Sequence, residues 1–375
     1  MNYYPDAPYW LALLESAALK RRMAKTVIYR RCIEGRETLA DLLGMNRSDV
    51  QTSLDLTADE ASAVLEALRQ APAREAELAD LARQGIGLIT RADVTYPDLL
   101  AERLPEEWLP YYLYYAGDPA IVTQPGVAVL GGTSSDEAAR TIARDLARTL
   151  AAEGHNLVGG YDRGVDRLAL DTAREAGGNA TMVLPLGMNS FRQVLAGMRR
   201  HLDEGRLLVL SPYAPDVTYT EALAGARRAL LVALSEAVYM VSPDDDPGDW
   251  PALVELLRAG LQVGVWQGRP GSWVTAGAAP FDDVAAALQP LRAMYGNAEG
   301  VTGATSGDAE IIGDDILPEG DGQAMGEPIE FSDADSAVEI LGRTGTVPDV
   351  LARRLAERLG RDEPPEEDEW GADGA

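Results

Sequence analysis

Cysteine, histidine and lysine are nearly missing from this chain of 375 residues. A single cysteine, Cys32, excludes a disulfide framework and a cysteine-rich zinc site, and reads as a small core thiol. His155 and His201 are too few for a three-histidine metal centre and read as helix-end or surface residues. Lysine occurs only at Lys20 and Lys25, so nearly all positive charge is guanidinium. No apolar run approaches the roughly 18–20 residues that cross a bilayer. The opening Met1-Asn2-Tyr3-Tyr4-Pro5 lacks the basic and apolar regions of a signal peptide. The expectation is a soluble, cytoplasmic chain with no membrane partner, no metal and no cofactor.

Basic residues as a whole are scarce, 33 against 60 acidic, giving a net charge of −27. That disfavours coating duplex DNA through bulk charge. The imbalance is local, however. Residues 301–375 carry 20 acidic and 5 basic side chains, a net of −15, whereas residues 131–235 carry 12 of each. A phosphate site in the middle of the chain is therefore compatible with the composition. With 46% hydrophobic and 25% charged residues, most of the chain can bury a core, and its length allows two or three domains.

Residues 1–84 read as a helical domain. Apolar residues recur at helical spacing in Trp10-Leu11-Leu13-Leu14 and Val27-Ile28. Thr57-Ala58-Asp59-Glu60 is a capping box, and further helical patterns run through Leu68 and over 73–83. Residues 85–125 form a connector with a short strand at Gly87-Leu88-Ile89-Thr90 and an aromatic run from Trp108 to Tyr115, which suits interdomain packing or base stacking. From 126 to 275 six apolar segments of strand length alternate with helical stretches at 135–153, 164–176, 190–204, 217–235 and 250–259. Strands apolar on both faces and separated by helices predict an α/β domain, a Rossmann-like doubly wound, mostly parallel sheet. Residues 276–331 read as a disordered acidic linker, 332–360 as a short helical segment and 361–375 as an acidic disordered tail.

In such a sheet, ligands bind beyond the strands' carboxyl ends, where helix N-termini offer free amides. Two segments lie there. Leu130-Gly131-Gly132-Thr133-Ser134-Ser135-Asp136 joins a strand to its helix, with glycines for close backbone approach and hydroxyls for capping or for a phosphate. It has neither the Gly-x-Gly-x-x-Gly pattern nor a Walker lysine. Val158-Gly159-Gly160-Tyr161-Asp162-Arg163-Gly164-Val165-Asp166 places three glycines, an arginine and two carboxylates in a second loop. Asp166 fits several roles: holding Arg163 or the loop amides, accepting hydrogen bonds from a sugar or base, or serving as a helix N-cap carboxylate paired with Arg167 or Arg163.

Gly-Gly-x-x-Arg-Gly-x-Asp, placed about thirty residues behind a strand–Gly-Gly–helix, resembles the DNA-processing protein A (DprA/Smf) family. That family belongs to a Rossmann-like group that includes the cytokinin-activating phosphoribohydrolases. The likeness extends to Leu88-Ile89-Thr90 through Tyr96-Pro97-Asp98-Leu99-Leu100, to Tyr114-Tyr115-Ala116-Gly117-Asp118, and to Ala176-Gly177-Gly178 through Val183-Leu184-Pro185-Leu186-Gly187. It covers about residues 8–270, the first helices standing where the family has its small all-α, SAM-like domain. The resemblance implies single-stranded DNA binding, recruitment of a RecA-type recombinase as in DNA uptake, dimers that extend the strand path, and no catalysis. On it, the ligand or DNA phosphate contacts are Gly131, Gly132, Thr133, Ser134, Gly159, Gly160, Arg163, Gly164, Asp166, Arg227 and Arg228. Arg192, Arg199 and Arg200 are further candidates that read equally as surface-helix residues.

The chain also departs from the family. Gly131-Gly132-Thr133 stands where Gly-Ser-Arg is usual, and Arg227-Arg228-Ala229 where Arg-Asn-Arg is usual. Asp244-Asp245-Asp246-Pro247-Gly248-Asp249-Trp250 replaces a Gly-Ser-x-x-Thr-Ala loop and sets four carboxylates near the expected pocket mouth. Each lost cationic contact lowers affinity and its salt dependence. The alternatives are a divergent nucleotide sensor and, behind it, a nucleotide phosphoribohydrolase; Pro247-Gly248 followed by Glu255 poorly matches the glycine-rich loop of the latter.

Overall fold

Trp10, Leu11, Leu13 and Leu14 cover one side of a helix whose other side is closed by Pro8 and Ala12. This helix, α1 (Ala7–Leu14), buries seven of its eight residues, as the central helix of a small module must. Around it lie α2 (Arg21–Ile28), α3 (Arg47–Leu54), α4 (Ala58–Leu68) and α5 (Ala71–Arg83). The capping box at α4 forms as its residues dictate: the Glu60 amide donates to Thr57 Oγ1 at 3.3 Å and the Thr57 amide to Glu60 Oε2 at 2.8 Å. Cys32 is a core thiol, pushed up to about 12 by burial and by the neighbouring Asp6 carboxylate. The structure is a computed structural model and describes residues 4–244, 246–268 and 271–295.

The helical module is fastened to the sheet by the lead-in. Lys25 Nζ donates to the carbonyls of Glu106, Leu109 and Glu107 at 2.6, 2.9 and 3.1 Å, and burial lowers this ammonium to about 8. Tyr112 Oη donates to Glu15 Oε1 at 2.9 Å, and the Trp10 and Tyr111 rings lie 6.1 Å apart. Tyr111, Tyr112 and Tyr114 are each at most 2% exposed, so this aromatic run is packing and not a base-stacking platform.

Among the described residues, nine strands form one sheet: β1 (Ile86–Thr90), β2 (Tyr112–Gly117), β3 (Gly126–Leu130), β4 (Asn156–Gly159), β5 (Ala180–Val183), β6 (Leu207–Ser211), β7 (Ala237–Met240), β8 (Gln262–Trp266) and β9 (Ala279–Phe281). Their spatial order is β1-β2-β6-β5-β4-β3-β7-β8-β9. The seven strands from β6 to β9 pair in parallel, while β2 joins β6, and β1 joins β2, antiparallel. The crossovers include α6 (Asp98–Arg103) before β2, α7 (Glu137–Ala152), α8 (Val165–Glu175), α9 (Arg192–Gly197), α10 (Arg199–Asp203), α11 (Glu221–Ala233), α12 (Pro251–Arg258) and α13 (Gly271–Thr275). Strand order reverses at β3: β4 lies on one side of it and β7 on the other. The ligand crevice of a doubly wound sheet therefore falls beyond Leu130 and Met240.

The sequence expectations need correction in three places. The segment expected as a connector contributes two strands to the sheet itself, because β2 finds its partner in β6, about a hundred residues downstream. The expected linker does not begin at 276: β9 and α14 (Val284–Tyr295) continue the fold, with Phe281, Ala287, Leu288 and Leu291 buried. The expected helix at 190–204 breaks at Met198 into α9 and α10, next to Gly197. The expected helical segment at 332–360 and the tail at 361–375 lie outside the described residues.

Candidate nucleic-acid interface

The turn after β3 is built from glycine because there is no room for anything else. A Cβ on Gly131 would lie 1.9 Å from the Val241 carbonyl oxygen, a backbone atom that no rotamer change moves away. The Gly132 amide donates to the Ser242 carbonyl at 3.1 Å, which ties this turn to the segment after β7. Asp136 then caps α7, accepting from the Ala139 amide at 2.9 Å. Between these anchors Thr133 and Ser134 stand exposed at the crevice. An anion already sits there. Asp244 Oδ2 accepts from the Thr133 amide at 2.7 Å and from Thr133 Oγ1 at 3.2 Å. Partial desolvation raises the Asp244 carboxyl, but the donors of Thr133 and Ser134 outweigh it and hold the group below the usual carboxylate range.

The loop after β4 packs directly against this turn. Gly164, at φ +100°, would push a Cβ to 2.3 Å from the Gly132 carbonyl oxygen. Its neighbour Val165 donates its amide to that same oxygen at 3.4 Å. Tyr161 occupies the left-handed region at φ +61°, which costs about 1 kcal/mol or more for a residue with a Cβ. Its amide and that of Gly160 donate to the buried Asp166 carboxylate at 3.3 and 3.1 Å, so Asp166 holds the loop amides and not Arg163.

Arg227 is placed differently from its expected role. It projects from α11 beneath the loop, 1% exposed, and its Nη1 donates to the Gly160 carbonyl at 2.9 Å while Nη2 pairs with Asp162. A Cβ on Gly160 would overlap this guanidinium, which explains the second glycine of the motif. Arg227 is thus a buried strut, not a surface phosphate contact. Arg228, one residue on, turns toward α12, with its guanidinium 4.6 Å from the Trp250 ring and Nη1 donating to the Asp249 carbonyl at 3.0 Å. Arg163 is exposed and makes no hydrogen bond or ion pair with any described residue. It immediately precedes Gly164, where a Cβ would lie 3.0 Å from the Thr133 Cα. Arg167 lies 4.8 Å from the Tyr161 ring. Arg192 bonds Asn189, and Arg199 and Arg200 pair with Asp203 and Glu204 one turn on, as residues of solvated helices do.

The structure therefore brings together Gly131, Gly132, Thr133, Ser134, Gly159, Gly160, Arg163, Gly164 and Asp166, puts Arg227 beneath them, and leaves Arg228 on the α12 side. Of the four carboxylates expected near the mouth, Asp244 is on the turn; Asp246 accepts from Ser272 Oγ at 2.6 Å and Asp249 from the Asp246 amide at 3.0 Å. Asp245 lies outside the described residues. The sequence carries no sign of the positive φ at Tyr161 and Ser242, nor of Asp162 as the partner of Arg227. Among the described residues, no group of three or more His, Cys, Asp or Glu is placed to hold a metal ion, and no helix is long and apolar enough to cross a membrane.

Asp166 gives this loop a pH signature. Burial above all, then the charge of Asp162, raises its carboxyl to about 7 against the pull of Arg227 and the two amides. Unfolded, it titrates near 3.9. Between about pH 4 and pH 7 the folded chain holds a proton that the unfolded chain has released, so this group's contribution to stability is full below about pH 4 and is lost as pH rises through 7. Asp166→Asn cannot titrate. Its stability relative to wild type should therefore be higher at pH 8 than at pH 5 in urea unfolding; an equal difference at both pH values would rule out the buried proton.

Comparison with known proteins bears on this site. The family model of DNA recombination-mediator protein A matches residues 87–287, which span both loops and every strand from β2 to β9. DNA processing protein A from Streptococcus pneumoniae shares the fold, with a TM-score of 0.57 at 19% identity over 75% of this chain and 96% of its own. DNA processing protein A from Helicobacter pylori, described for its single-stranded DNA binding mode, matches 51% of this chain and 94% of its own at 21% identity and a TM-score of 0.42. The molybdenum cofactor carrier protein of Chlamydomonas reinhardtii covers 46% of this chain at 25% identity, with a TM-score of 0.32 over 98% of its own length. No curated protein matches. With more than half of its residues inside the family model, the chain belongs to the DNA recombination-mediator protein A family.

Proposed function

We propose that this protein grips single-stranded DNA along the carboxyl edge of the sheet and passes it to a RecA-type recombinase, as a cytoplasmic binding adaptor and not a catalyst. The observation that carries this reading is the Thr133 amide at the topological switch point, already bonded to an anionic oxygen at 2.7 Å, while the neighbouring loop carries the exposed Arg163, which has no hydrogen bond or ion pair with any described residue. An amide that holds a carboxylate suits a phosphodiester oxygen, and a free guanidinium adds the charge-assisted contact. Support comes also from family membership and from the name of the H. pylori relative. Bases would then lie outward, toward Tyr161 and Arg167, and pairing of two chains would lengthen the track.

Photo-crosslinking of oligo-dT carrying 4-thiothymidine to the full chain tests the location. Adducts are expected in peptides containing residues 131–136 and 161–167. Adducts confined to residues 7–83 would move the interface to the helical module. If oligo-dT gave no adduct while nucleoside monophosphates shifted the Thr133 amide resonance, the chain would be a nucleotide sensor instead.

A further inference from the structure

The residues after β7 fold an exposed carboxylate back onto the turn after β3. Ser242 is buried at φ +51°, a costly conformation for a residue other than glycine, and its carbonyl is pinned by the Gly132 amide. The chain is pinned again at Asp246 by Ser272 Oγ. Asp244 lies between these anchors, exposed, with its carboxylate on the Thr133 amide and hydroxyl. Gly132 makes the approach possible, since a Cβ there would fall 1.9 Å from the Asp244 carboxyl carbon. The contact joins residues 111 apart in sequence, so it is not part of a local cap.

Resting on the reading given under Proposed function, we propose that Asp244 occupies the phosphate place of the turn in the free protein, and that a phosphodiester of single-stranded DNA binds there only by displacing it. A carboxylate and a phosphodiester both present two anionic oxygens on one centre, and the Thr133 donors cannot serve both. Two such anions a few ångströms apart repel. Asp244 can leave because it is exposed and rehydrates in the open position. The device lowers affinity for an isolated phosphate and favours a polymer, whose neighbouring phosphates reach Arg163 while one competes for the turn.

The test compares wild type, Asp244→Ala and, as a control for net charge, Asp145→Ala, which removes one half-exposed carboxylate of α7. Full-length proteins are titrated with fluorescein-labelled oligo-dT at low salt, and the Thr133 amide is followed by selective 15N-threonine labelling. Asp244→Ala should bind about fivefold or more tightly than wild type, and Asp145→Ala, which also releases Arg148 from its pair with Asp145 but lies away from the turn, less than twofold. Inorganic phosphate alone should shift the Thr133 amide in Asp244→Ala at concentrations that leave wild type unmoved. If wild type binds and Asp244→Ala binds no more tightly, or if Asp145→Ala gains as much, the displacement mechanism is overturned and the interface stands. If neither wild type nor Asp244→Ala binds oligo-dT, the interface itself is wrong and the mechanism fails with it.

Discussion

Arg227→Ala is expected to destabilise the protein by roughly 2–4 kcal/mol and to abolish strand binding in whatever fraction remains folded. The guanidinium is buried, bonds the Gly160 carbonyl and pairs with Asp162. Its removal leaves a buried carbonyl without its donor, at about 1–3 kcal/mol, and empties the space of a long side chain. Asp162 is half exposed and rehydrates, which keeps the loss below that of a fully buried broken pair. Asp166, no longer beside a cation, is pushed further toward its neutral form. Arg227→Met separates the contributions: it refills the volume without the fork and should recover part of the stability but not the binding. Urea unfolding with parallel oligo-dT titration reads both. Full binding in Arg227→Met would show that the Gly160 loop keeps its shape without the strut.

The strut also shows where sequence reasoning stops. Arg227 and Arg228 are consecutive on α11, so a helix points them about 100° apart, and only the phase of the helix on the sheet decides which faces inward. That phase comes from the packing of Leu223, Leu230 and Leu231, which a run of small and apolar residues leaves ambiguous. The glycines were legible because each meets a local demand: Gly164 a left-handed backbone, Gly131 and Gly160 the close passage of another chain segment or side chain. The parallel core was legible because strands covered on both faces are apolar throughout. The antiparallel edge was not, since the pairing of Tyr114 with Ser211 is a long-range choice that no local pattern records. Helix α14 did carry a signal, Val284, Leu288 and Leu291 at helical spacing, but it was passed over when the whole of 276–331 was read as an acidic linker. The acidic loop was legible as a concentration of charge near the site. That one member, Asp244, bonds the Thr133 amide depends on the left-handed turn at Ser242, which serine does not announce.

Arg163 carries the second large effect, and it is the residue on which the interface stands or falls. It is exposed, it has no hydrogen bond or ion pair with any described residue, and it follows the strut-held segment beside the turn. A guanidinium left without an internal partner costs the fold little to remove, so Arg163→Ala should unfold at the same urea concentration as wild type. Its loss from a strand complex removes one phosphate contact. The decisive measurement is a titration of full-length wild type and Arg163→Ala with labelled oligo-dT across rising salt. The account predicts affinity reduced about tenfold or more at low salt, and a plot of log K against log salt that is shallower by about one. Unchanged affinity with an unchanged slope would contradict it and remove the carboxyl edge of the sheet from the path of the strand.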